Sequence, residues 1–436
     1  MRRSNLRHYA ISSCVAAALL VGCGGSQPPI GAPGAMPQGT ALASARTIAP
    51  HAPTSPAYKV VHYFNYRAAS AGWNPQTGLL DVNDTLYGTT FTGEGTVFGG
   101  GTVYSMNMKG AVTVLHKFTG PADGREPDGD LIDVNGTLYG TTISGGNSDG
   151  NGTVYGLSAS GAETVLYRFS SGNSDGANPS GPLVDVDGTL YGTTQRGGSC
   201  DCGTVYSIST TGAEKVLHFF SGGSDGSVPV AGLIDVKGTL YGTTYFGGST
   251  GCHGNGCGIV FSISTTGQEK VLYSFLGSDG NGDGGYPASG LLEVHGTLYG
   301  TTAEGGSYAC GKHLHCGTVY SVTRKGKEKV LYSFHNAPDG ATPNAALINF
   351  GGTLYGTTSR AGSRPWPQGD GTIYSITTSG SEQVLHVFNE MAGRLPTARL
   401  TQVSSKLYGT TSRGGIPHSR CGGRHIECGL VFAFTP

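Results

Sequence analysis

Residues 181–220 read GPLVDVDGTLYGTTQRGGSCDCGTVYSISTTGAEKVLHFF, four strand-like runs separated by turns. The runs, at 181–186, 189–194, 203–208 and 215–220, are rich in the β-branched and aromatic residues that fit a pleated, half-buried surface. Between the first two stands Asp187-Gly188, a pair that suits a type I′ hairpin because both central residues take positive φ. Leu-Tyr-Gly-Thr-Thr then recurs seven times, starting at Leu86, Leu138, Leu190, Leu240, Leu298, Leu354 and Leu407, at spacings of 52, 52, 50, 58, 56 and 53. Four strands per fifty residues make a propeller blade. A β-helix or leucine-rich solenoid repeats every twenty to thirty residues, and a helical array carries a 3.6 period that is missing here. The expected fold is all-β: a seven-bladed β-propeller of four-stranded antiparallel blades.

Ring closure is legible at the ends. Val60-Val61-His62-Tyr63-Phe64 has the sequence of a fourth strand, whereas the chain finishes at Leu430-Val431-Phe432-Ala433-Phe434, a third strand. The N-terminal strand should therefore become the outer strand of the last blade and close the ring without a covalent bond. Losing residues 58–66 would open it.

Composition agrees with one repetitive body at 58–436. Of 436 residues 76 are Gly and 21 Pro, and only 13% are charged. With 37% hydrophobic residues the chain still buries a large core, and a net charge of -1 speaks against nucleic acid as a partner. Residues 1–22 read as an export signal: Arg2, Arg3 and Arg7 precede an apolar run too short to span a bilayer. Leu20-Val21-Gly22-Cys23 resembles a bacterial lipobox, so Cys23 is expected to carry lipid and to tie the protein to a membrane. The Pro-, Gly- and Ala-rich residues 23–57 form the tether. The expected address is the bacterial cell envelope, at the outer membrane or cell surface, and the expected state a monomer.

Antiparallel meandering sends the short first-to-second and third-to-fourth turns to one face. The other face receives the crossovers and the long, dissimilar second-to-third loops at 199–203, 249–258, 307–317, 363–371 and 416–429, and variable loops on a rigid scaffold are where function usually sits. What recurs in most blades reads as structural. That covers the acids of the first strand (Asp81, Asp133, Asp185, Asp235 and Glu293), the fourth-strand His62, His116, His218 and His386 that alternate with Tyr167, Tyr273 and Tyr332, and the Asp-Gly-x-x-Pro crossovers at Asp123, Asp175, Asp225, Asp283 and Asp339.

Eight cysteines remain beyond the signal and lipobox, paired within loops as Cys200/Cys202, Cys252/Cys257, Cys310/Cys316 and Cys421/Cys428. In an exported chain such pairs imply disulfides. Zinc held by Cys310, His313, His315 and Cys316 is the alternative, although three ligands within four residues are hard to arrange tetrahedrally. Asp279-Gly-Asn-Gly-Asp283-Gly matches half a calcium loop, but Gly290 stands where the bidentate Glu belongs. No metal or cofactor is expected.

Pattern-breaking residues cluster late. Trp73 and Trp366 both fall on the variable face, and seven of sixteen Arg lie between 360 and 424, among them Arg360, Arg364, Arg413, Arg420 and Arg424. Indole beside guanidinium suits stacking on sugars and pairing with carboxylate or phosphate.

The repeats resemble the GloVer tandem-repeat family of bacterial surface proteins, which share Leu-Tyr-Gly-Thr-Thr, a Gly-Gly pair and Gly-Thr-Val-Tyr. The resemblance spans 58–436, with departures at Gly93-Glu94 and Ala361-Gly362, and it implies surface display without naming a reaction. The expected function is envelope-anchored binding of glycan or protein through the loop-rich face. A propeller lyase, glycosidase or lactonase is the competing expectation, with a purely structural surface protein third. Such enzymes place His, acidic or metal groups over the central channel, and no first strand here begins with an obvious set.

Overall fold

Leu-Tyr-Gly-Thr-Thr lies in the second strand of every blade, from Thr85–Thr90 in the first to Lys406–Thr411 in the last. The computed structural model describes residues 57–65, 72–93, 100–277, 282–310, 316–365, 368–415 and 428–436. Each residue of the motif does something different. The Leu is buried in the core. The Gly makes room: Gly192 is paired across the sheet with Tyr206, whose ring folds over it, so that a Cβ there would come within 2.5 Å of the Tyr206 Oη. The first Thr ties its blade to the segment entering the next, as Thr193 Oγ1 donates to Ala231 O at 3.0 Å and Thr410 Oγ1 to Thr77 O at 2.9 Å. The second Thr bonds the first residue of the third strand, Thr194 to Thr204 and Thr358 to Thr372 at 2.8 Å each. Each such bond contributes about 0.5–1.5 kcal/mol.

The seven sheets are antiparallel and run in chain order from first to fourth strand. The exception is the last, in which Ala57–Tyr63 pairs with Leu430–Thr435 and supplies the missing outer strand. Tyr58 lies opposite Phe434 and Tyr63 opposite Leu430, with a bulge between Val60 and His62. The hairpin turns are as the sequence implies: Asn135 and Gly136 have φ of 54° and 81°, Asp187 and Gly188 53° and 82°.

Both faces of every blade are buried. Seven apolar clusters form, one between each neighbouring pair of blades, including one that joins Leu79, Leu86 and Tyr104 of blade one to Tyr408 and Val431 of blade seven. At each junction the Phe that follows a fourth strand meets an aromatic of the next blade's third strand edge-on, from Phe64 on Tyr104 round to Phe388 on Phe432, with centroids 5.0–5.4 Å apart. Such a pair contributes about 0.5–1.5 kcal/mol beyond its buried area.

Several sequence expectations fall on residues outside those described: the signal, Cys23 and tether up to 56, Trp366, Arg420, Cys421 and Arg424, and also Asp279, His313 and His315. Ala361, where Gly-Gly is usual, takes the left-handed backbone of the Gly it replaces, at φ 60° against 82° for Gly305.

Candidate functional site

Every crossover ends in x-Pro, and in all seven blades the residue before the proline is a non-glycine held in the left-handed region. Asn74, Glu126, Asn178, Val228, Tyr286, Thr342 and Leu395 have φ between 53° and 63°. For β-branched Val228 and Thr342 this is a genuine outlier, and such a residue costs about 1–3 kcal/mol unless its surroundings hold it. Backbone bonds hold it. The N–H of each donates to the residue that ends the preceding blade's second-to-third loop, as Val228 does to Cys202 O at 2.7 Å and Leu395 to Asp370 O at 3.1 Å. Its carbonyl also accepts from the residue after Thr-Thr, as Leu395 O does from Ser412 N at 3.2 Å and Val228 O from Tyr245 N at 3.0 Å.

The loop residues that accept these bonds include Cys202, Cys257, Cys316 and Cys428, the second cysteine of each pair. Disulfides Cys200–Cys202, Cys252–Cys257 and Cys310–Cys316 are formed, and Cys428 is disulfide-bonded as well. Each of the three disulfides thus fixes its loop at the point where it grips the next blade; Cys310 and Cys316, the thiols of the zinc alternative, are bonded to each other, and His313 and His315 lie outside the described residues.

This frame creates one repeated slot on the loop-rich face. The residue two before each proline forms a cross-strand pair with the residue two after Thr-Thr: Trp73 with Thr92, Arg125 with Ser144, Ala177 with Arg196, Ser227 with Phe246, Gly285 with Glu304, Ala341 with Arg360, and Arg394 with Arg413. The backbone is constant and the side chains are not. Only the last pair opposes like charges. Arg394 and Arg413 exchange backbone bonds of 2.8 and 3.1 Å, and the guanidinium of Arg360 in the neighbouring blade is close enough to both to feel their charge. Burial first, then Arg413 and Arg394, pull the pKa of Arg360 below its ordinary value. Asp370, 2% exposed, accepts from Arg394 Nε. Arg413 is exposed and makes no ion pair among the described residues. Beside them lies a shallow, largely open cleft of about 380 Å³ lined by Ser363, Arg364, Asp370, Asn389, Glu390 and Met391, in which Arg364 Nη2 stands 3.8 Å from Glu390 Oε1.

The structure therefore gathers Arg360 and Arg413, places Arg364 in the adjoining cleft, and adds Arg394, which the sequence marks only as one of the clustered arginines. Trp73 occupies the blade-one slot and packs against the cluster shared by blades seven and one. Arg399 belongs elsewhere: its Nε pairs with Asp130 from the segment entering blade two, and Asp130 Oδ1 accepts from Gly78 N at 2.6 Å. These residues all precede first strands, so the pair spans blades seven, one and two beside the ring's axis. A further aromatic group went unremarked in the sequence, Tyr245 stacked on Tyr286 at 5.0 Å with Phe246 edge-on to both. It becomes visible only once the slot is known.

The recurrent polar residues are used within the scaffold. Asp283 accepts from Tyr273 Oη at 2.6 Å and from Leu276 N, Asp339 accepts from Tyr332 Oη at 2.6 Å, and His116 Nε2 lies 3.3 Å from Asp123. Asp235 Oδ1 accepts from Gly238 N at 2.8 Å, capping its own hairpin turn.

The family described as the Gloeobacter/Verrucomicrobia repeat matches residues 43–256 and 250–423. The chain belongs to this repeat family. No curated protein matches it. Among solved structures, the Gloeobacter/Verrucomicrobia repeat chain is similar to an α-L-arabinofuranosidase of Fusarium graminearum, at 12% identity over 85% of this chain and 96% of that one, TM-score 0.45. It is also similar to a gluconolactonase of Xanthomonas campestris, at 13% over 89% and 99%, TM-score 0.40, and to a protein from Lactobacillus plantarum, at 15% over 74% and 93%, TM-score 0.48. At such identities no site residue carries across to the repeat chain.

Proposed function

We propose that the protein is an exported, lipid-tethered binding protein of the bacterial cell envelope, and that its loop-rich face recognises extracellular or envelope material, glycan or protein. One observation carries the reading: seven equivalent slots share a fixed, strained backbone, four of them gripped by a cysteine of a disulfide-bearing loop, but hold side chains as different as Trp73, Glu304 and the Arg394–Arg413 pair. A scaffold that repeats everything except its loop-face side chains fits recognition, because strain is tolerated where geometry must be exact for a partner. The Arg399–Asp130 pair beside the axis supports a site on the surrounding loops over one in the channel.

The test is to place the full chain, disulfides intact and solubilised in detergent, on an array of glycans and cell-wall polymers. The bound polymers are then assayed for released sugar and lactone hydrolysis. The expected result is affinity without product; product release would move the protein to the enzymes. For the anchor, Cys23→Ala should abolish incorporation of labelled lipid and move the protein out of the membrane fraction, and unchanged membrane retention would refute the tether.

A further inference from the structure

The slot pairs make an internal comparison. Blade one holds Thr92 opposite Trp73, blade two Ser144 opposite Arg125, blade five Glu304 opposite Gly285. The same backbone thus accepts small, neutral or acidic residues; buried Asp370 calls for Arg394, but none of the described contacts calls for an arginine opposite it. Directly opposed like charges are destabilising. Blade seven nevertheless opposes Arg394 to Arg413, and blade six adds Arg360 to the same neighbourhood. Arg394 is paired with buried Asp370, while the guanidinium of Arg413 stands exposed with no ion pair among the described residues. Such a concentration of positive charge on a protein of net charge -1 is stabilised when an anion occupies it.

The adjoining cleft narrows the ligand. Ser363 offers a hydroxyl that donates and accepts, Asn389 an amide N–H that donates while its Oδ1 accepts from Met391 N and Ala392 N, Glu390 a carboxylate that accepts, and Met391, 60% exposed, an apolar surface. Mixed donors and acceptors beside an apolar patch suit a sugar ring with its hydroxyls and C–H face. We propose that Arg360, Arg394 and Arg413 form an anion subsite that holds the acidic group of a polysaccharide, the neighbouring sugar lying in the cleft. The subsite rests on the reading of the loop face as a recognition surface and gives it a ligand class. The acidic group can be a carboxylate or a phosphate, since a guanidinium fork pairs with either.

Calorimetric titration of the full, oxidised chain tests this with an oligogalacturonate, its methyl-esterified neutral counterpart, inorganic phosphate and a poly-glutamate peptide. The variants are Arg413→Thr, which installs the residue blade one carries in that slot, and Arg360→Ala. The oligogalacturonate should bind and the neutral counterpart should not; each variant should weaken binding at least tenfold, and added salt should weaken it in the wild type. Competition by inorganic phosphate would support the same subsite and point to a phosphate-bearing polymer. Arg413→Thr should melt no lower than the wild type, because it removes a like-charge contact. A clear fall in its melting temperature would make the pair structural and overturn the proposal. So would binding of poly-glutamate in place of any polysaccharide, or glycan affinity indifferent to both variants, the last leaving the recognition face itself intact. Failure of every array polymer to bind would sink that broader reading too.

Discussion

Replacing Phe64 by alanine should open the ring at one place. Phe64 is fully buried, meets Tyr104 edge-on at 5.3 Å and donates its N–H to Gly429 O at 3.1 Å. Phe169 is its counterpart between blades two and three, equally buried and 5.1 Å from Tyr206. Truncating a buried Phe costs about 3–5 kcal/mol. An unfolding entropy of about 2.1 cal/mol/K per residue over roughly 380 residues gives about 0.8 kcal/mol/K, so either variant should melt about 4–6 °C lower. The two differ in how the loss is distributed. Phe169 sits where the chain continues into the next blade on both sides, whereas Phe64 follows the strand that closes blade seven by hydrogen bonds and packing. In Phe64→Ala the loss falls on local opening, and about 4 kcal/mol there is a nearly thousand-fold rise in the opening constant. Native-state hydrogen exchange of the amides paired between Ala57–Tyr63 and Leu430–Thr435 reads this directly. Exchange should accelerate there in Phe64→Ala and stay unchanged at Glu163–Arg168 in Phe169→Ala. Equal protection of both strands in the two variants would refute the non-covalent seam.

Gly192→Ala should cost about 1–3 kcal/mol by overpacking, because its Cβ would meet Tyr206 Oη at 2.5 Å and Cζ at 2.6 Å, and a denaturant midpoint unchanged from the wild type would defeat the steric account. Tyr206→Phe should be neutral or slightly stabilising, since the hydroxyl is buried without a partner and Phe261 and Phe432 fill the same place in their own blades. Ala361→Gly should leave stability within about 1 kcal/mol of the wild type, because relief of a left-handed Ala, about 1–2 kcal/mol, is offset by the added freedom of unfolded Gly, about 0.4–1, and by the loss of a fully buried methyl, about 0.8; a fall of several kcal/mol would contradict it. The Glu214 carboxyl is pushed up from 4.5 to about 7 by burial and then by Asp175 of the preceding crossover, against a hydrogen bond from Tyr167, and burial raises Glu163, Glu269, Glu328 and Glu382 to about 7 as well. Their contribution to stability is complete below about 4.5 and lost as pH rises through 7, so melting temperature should fall from pH 5 to 8 and Glu214→Gln with Glu328→Gln should flatten that slope. His386, lowered to about 4 by burial, acts in the opposite sense and limits stability as pH falls below 6.5.

The propeller was legible because its information is repeated: a strand misread in one blade is corrected by six others. The seam was legible for the same reason, since 60–64 matches a fourth strand and 430–434 a third. The slot was not. Left-handed backbone at Val228 and Thr342 leaves no trace in residue type, as β-branched residues point toward extended strand. Only the bonds from these residues to the preceding blade's loop reveal that Arg394 faces Arg413 across the sheet. The sequence could count the late arginines and mark Arg360, Arg364 and Arg413; it could not tell that Arg399 pairs with Asp130, 269 residues away. The role of the disulfides was likewise half visible. Local pairing follows from spacing, but the bond from each second cysteine's carbonyl to the next blade does not.

Recognition by one sector of the loop-rich face is the central claim. A hydrogen-exchange footprint of the full chain with and without oligogalacturonate tests it most directly. The account predicts slower exchange confined to the ends of blades six and seven, at residues 358–365, 389–395 and 411–415, with the short-turn face unaffected. Protection centred on the short turns around Gly136, Gly188 and Gly238, or spread evenly around the ring, would contradict it.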